Sequence, residues 1–254
     1  MPANYACHRF GCSAISMLPG DLQRKARLFR RLFNAGLHGP DLFFYYSPWR
    51  DTAAGALRDR YHSMSGRDFF SQAAVSLKQA PSEGGIAFLY GLLGHYCLMS
   101  RLSPLLKDGP VSATELEVEL DRYLLSLDGR LPAHTQDISS DFCLTRGECV
   151  TAAEFFPPAT AAQIHSCIQN MSRLTRQLAA KNRSVTAALL AAARPGFRMQ
   201  WMQPHADHRC VHLDESMLAC FRQALDVYPA MAEQLHGFLT AGTTLGPEFD
   251  AVFL

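Results

Sequence analysis

Residues Gly84–Pro104 read GGIAFLYGLLGHYCLMSRLSP, a long apolar stretch with one histidine well inside it. The stretch is expected to be a helix, entered through Ser82 and Glu83 and ended with the help of Pro104. On a helix, His95, Met99 and Ser103 recur every four residues and stack along one stripe. Such a stripe can offer several ligands to a metal cluster, but only the histidine of these three is a good ligand. The longest purely apolar run, Ile86 to Leu93, is far short of the roughly 20 residues that span a bilayer.

Working outward, the remaining chain is also helical in pattern. Asp21 to Ala35 places Leu22, Ala26, Phe29, Leu32 and Phe33 on one face and five basic residues around the rest, which predicts one amphipathic helix with a solvated basic face. Gly36, Gly39, Pro40 and Pro48 then break helical continuity around Leu42–Tyr46, predicting a packed loop that carries Asp41 beside the core. An acid in such a place needs a partner. Thr52 to Met64 and Gly66 to Gln79 read as two helices, the first closed by His62. SATE at 112–115 is a capping box that opens a helix to about Ser126, with Glu117 and Asp121 away from its leucine face. Further helices are expected over 149–156, 159–178 and 182–193. A last one, Asp214 to Leu239, is expected to be kinked or split by Pro229. No strand alternation, repeat or low-complexity linker is visible, so the expectation is a single all-α domain over residues 1–254, a multi-helix bundle.

With 254 residues, 48% of them hydrophobic, and a formal net charge of +1, the chain can bury a large core and shows no pull toward a nucleic-acid partner. The N-terminal MPANYACHRFGCSAISMLPG lacks the apolar run of a secretory signal, so a cytoplasmic protein with no transmembrane segment is expected. The eight cysteines contain no CxxC pair and are expected to be free thiols. No GxSxG elbow or glycine-rich phosphate loop is present, which removes support for a serine triad or nucleotide chemistry. The short loop PHADHRCVH offers His205, His208, Cys210 and His212, but at no standard zinc spacing; a histidine-rich surface loop is the plainer reading.

Taken in order, GPDLFFYY, a histidine some twenty residues on, GLLGHY in an apolar helix, and ELEVELDRYLL resemble the motif order of the bacterial zinc-dependent phospholipase C family. ANYACHRFG is similar to that family's opening motif, and the stretch from Trp201 to Leu225 resembles its last helix with the loop before it. The resemblance implies an all-α fold and a zinc cluster that hydrolyses phosphodiesters of phospholipids. It makes Asp41, His62 and His95 ligands of one zinc, Glu117 a ligand of a second, and Cys7 or the adjacent His8 a ligand from the opening motif. Met99, Ser103 and Ala113 stand where the family has further ligands, so the resemblance implies a reduced site with one zinc ion. Asp41 or Glu117 would take a proton from water. The expected function is therefore a phospholipase C-like hydrolase acting on a phospholipid or other phosphoester. The alternatives are a catalytically silent relative whose cleft binds a lipid, an anion or a protein, and a redox-sensitive zinc protein using the cysteines.

Overall fold

The computed structural model describes residues 4–47, 52–130, 138–179 and 205–252. Among them are helices α1 (Asn4–Met17), α2 (Gly20–Leu28), α3 (Arg30–Gly36), α4 (Ala53–His62), α5 (Gly66–Gln79), α6 (Glu83–Asp108), α7 (Ala113–Leu127), α8 (Arg146–Ala153), α9 (Ala161–Ala179) and α10 (Asp214–Ala241). The described residues contain no β-strand, only an isolated bridge between Ser65 and Val252, so the fold is all-α. None of their helices is long and apolar enough to cross a membrane.

α6 is the axis of the bundle. The hydroxyl of Ser82 accepts the amide of Gly85 and starts it, and the helix then buries nearly every residue from Gly84 to Met99. Each large apolar side chain so buried contributes about 1.5–3 kcal/mol. α3 packs against α6 at two glycines. A Cβ on Gly36 would lie 2.3 Å from the carbonyl oxygen of Phe88, and one on Gly91 would lie 2.1 Å from that of Phe33. The backbones touch there, as only glycine allows. On another side α10 is tied to α6 by Tyr228, whose hydroxyl donates to the carbonyl of Tyr90 at 3.0 Å.

Several boundaries differ from the sequence reading. Asp21–Ala35 is two helices, because Phe29 leaves helical geometry (φ −106°, ψ 43°) and lets α3 turn onto α6. The loop after it is a 3₁₀ helix, Gly39–Tyr45, entered through Gly39 at φ 50°. The opening motif forms α1, where no helix was expected, with Tyr5, Phe10, Ala14 and Ile15 buried. Pro104 does not end α6 and Pro229 does not split α10. Beyond each proline, apolar residues still pack into the core (Leu105 and Leu106; Met231, Ala232 and Leu235), and that burial outweighs the one lost backbone hydrogen bond. The helix expected over 182–193 lies outside the described residues.

Candidate metal centre

The crossing of α3 and α6 places the site. Gly91 lets Gly36 and Leu37 approach, and one turn further along α6 the ring of His95 meets the carbonyl of Leu37, with Nδ1 3.1 Å from that oxygen. An imidazole that donates through Nδ1 presents its lone pair on Nε2, the arrangement that outer-shell carbonyls impose on ligating histidines. Gly39 seats the other side of the ring, where a Cβ would fall 2.5 Å from Cδ2. Burial pushes the His95 imidazole down to about 4, so the ring is neutral, which is its ligating form.

Asp41 follows Gly39 and Pro40 in the 3₁₀ helix and is 1% exposed. His62, in the last turn of α4, brings Nε2 to 3.2 Å from Asp41 Oδ1. Arg58, four residues earlier on the same helix face, donates from Nε to the same oxygen at 2.7 Å. Burial by itself would raise the Asp41 carboxyl; the neighbouring His62, with its hydrogen bond, and the Arg58 guanidinium outweigh it and hold the group well below the usual carboxylate range. Oδ2 of Asp41 accepts no hydrogen bond from the described residues. Asp41, His62 and His95 each present one ligand atom, and these atoms lie within 4.8 Å of one another. The three residues form a group that can hold a metal ion, and the donor set of two imidazoles and a carboxylate fits such an ion.

The other residues expected here are not members of that group of three. Glu117 is buried on α7, within electrostatic reach of Asp41 and Arg58, and burial pushes its carboxyl up to about 7. Asp121, one turn further along the same face of α7, is buried as well, so that face is an interior one. Cys7 is buried and its thiol is pushed upward by burial and by Asp121, Asp41 and Glu117, so it is held in the protonated, poorly ligating form. His8 faces away, toward Asp141 and Cys12. Met99 and Ser103 are buried, and Ala113 is the first residue of α7.

In the loop before α10, His205, His208 and His212 are exposed while Cys210 is buried, so the four do not converge on one point. That loop is anchored through Asp207, whose amide donates to Glu119 at 3.1 Å, beside a buried network in which Arg122 joins Glu119 and Asp214.

Three participants escaped the sequence reading. Arg58 was detectable as the residue one turn before His62. Asp121, noted only as the neighbour of Glu117, accepts the amides of Tyr5 and Ala6 at 3.0 and 2.6 Å and so fixes the start of α1. His38 is buried near His95, and burial pushes it down to about 3. No protein-family model matches the chain, and no curated protein or solved structure is significantly similar to it.

Proposed function

We propose that the chain is a metal-dependent phosphoester hydrolase, similar to zinc-dependent phospholipase C, with one zinc ion on Asp41, His62 and His95. The observation that supports this reading most is the convergence of those three side chains, with His95 aimed by the Leu37 carbonyl. Three protein donors leave a fourth position for water or substrate, and a zinc bound there would supply a water acidic near neutrality and a Lewis acid for the phosphoryl oxygen. Glu117, poised at about 7, can accept a proton close to the site, and Arg58 can pair with an anionic oxygen of the substrate once Asp41 turns to the metal. His62, with 17% of its side chain exposed, is the one of the three ligands that reaches solvent. A phospholipid is one candidate substrate among phosphoesters. Eight free thiols fit a reducing compartment such as the cytoplasm.

A second reading, a silent relative that keeps the polar group without a metal, is favoured by Arg58, which already supplies Asp41 with a positive partner. The two separate by elemental analysis of untagged protein purified without chelator, followed by assays on phosphatidylcholine and a chromogenic phosphodiester. One zinc per chain with phosphodiester turnover supports the hydrolase. Absence of stoichiometric metal sinks it.

A further inference from the structure

The outward face of α1 carries a second constellation that the metal group does not use. His8 and Cys12 are one turn apart on this helix, so their side chains share a stripe. His8 Nε2 lies 3.8 Å from Cys12 Sγ, and the other ring nitrogen, Nδ1, pairs with Oδ2 of Asp141 from the 3₁₀ helix Ser139–Phe142. From α3, Arg30 brings Nη2 to 3.4 Å from the same sulfur while Nε donates to Asn34 at 3.0 Å. One imidazole thus stands between a thiol and a carboxylate, which is the order of nucleophile, base and orienting acid in thiol catalysis. The thiol itself is exposed, unlike Cys7 on the same helix.

We infer that Cys12, with His8, Asp141 and Arg30, forms a nucleophilic thiol site that undergoes exchange with small disulfides bearing carboxylates. Beside the His8 imidazolium the Cys12 thiol gives its proton to solvent, from which His8 is later reprotonated, and the sulfur anion attacks one sulfur of R–S–S–R. A Cys12–S–S–R bond forms and the original S–S bond breaks. The leaving RS⁻ departs with the electron pair and takes the proton from His8, so that Cys12 and one R–S group become a mixed disulfide and the other leaves as RSH. Arg30 supplies a positive charge at the sulfur that both favours the anion and attracts an acidic reagent. The electrostatics agree with the geometry. Asp141 beside the ring lifts the His8 imidazolium to about 9, and His8, aided by Arg30, pulls the Cys12 thiol below its ordinary value.

The test uses the full chain and oxidised glutathione at pH 7, with peptide mass spectrometry reading each thiol. Cys143, the other exposed cysteine, serves as the internal reference. Cys12 is expected to form the mixed disulfide about tenfold faster than Cys143, and His8→Gln to remove that advantage without changing Cys143. Asp141 is a positioning residue, and Asp141→Asn should move the pH of half-maximal iodoacetamide reaction at Cys12 upward. Equal rates at the two thiols, or an unchanged Cys12 rate in His8→Gln, would overturn the inference. Should His8→Gln not fold, the unsubstituted protein still decides. Alkylation of Cys12 must reach half its maximum at a lower pH than that of Cys143, and coincident profiles would refute it.

Discussion

His95 and His8 are both helical histidines, yet their surroundings turn one residue type to opposite uses. His95 is fully buried among glycines that bring backbone against it, with a neutral carbonyl at Nδ1, so its ring stays uncharged and can give a lone pair to a cation. His8 is partly exposed, with a carboxylate at Nδ1 and a thiol beyond Nε2, so its ring is held protonated next to a sulfur. Burial sets the first and charge pairing sets the second. The buried site depends on the fit of two helices; the surface site depends on the four side chains of Cys12, His8, Asp141 and Arg30.

That contrast can be broken by mutation at several strengths. Gly91→Ala should have the largest effect, because its Cβ would sit 2.1 Å from the Phe33 carbonyl and force α3 off α6. A loss of at least about 3 kcal/mol in urea unfolding is expected, the size of a severe core clash. Gly39→Ala meets both a positive φ of 50° and the His95 ring at 2.5 Å, and should cost about 2 kcal/mol while loosening metal binding.

His38→Gln probes burial of a neutral imidazole through pH. Because His38 is depressed to about 3 in the fold, it stays neutral there while the unfolded chain protonates below about 6.5. Its stabilising share is present above that pH and is lost as pH falls toward 3. Acidification from pH 7.5 to 4.5 should therefore lower the unfolding free energy of the parent, measured in urea, more than that of His38→Gln, by a difference on the order of 2 kcal/mol. An equal drop in both would show that His38 is not buried neutral.

The smallest effect is expected from Ser112→Ala, which removes the capping box that starts α7, where Ser112 also holds Glu115. A loss of about 1 kcal/mol should appear in thermal unfolding, with the rate at Cys12 unchanged.

Local signals in the sequence carried much of the fold. α5 runs from Gly66 to Gln79 as its serine cap and apolar spacing imply, and the Ser112–Glu115 box is present with both of its hydrogen bonds. What the sequence did not disclose depends on long-range fit. The break at Phe29 follows from where α3 must land on α6, and the passage of α6 and α10 through their prolines follows from burial beyond them. Asp41, His62 and His95 could be singled out as ligand types and Arg58 as a neighbour of His62 on one helix face, but the pairing of Arg58 with Asp41 and the place of His38 near His95 come from tertiary packing. The pairing of His8 with Asp141 joins residues 133 positions apart, with no local pattern to reveal it.

Whether Asp41, His62 and His95 hold a metal ion is read by a calorimetric titration of the untagged chain with zinc. Binding of one equivalent that disappears in His95→Ala, with the variant's circular dichroism intact, is the predicted result. Absence of stoichiometric binding, or binding that survives His95→Ala unchanged, would contradict it.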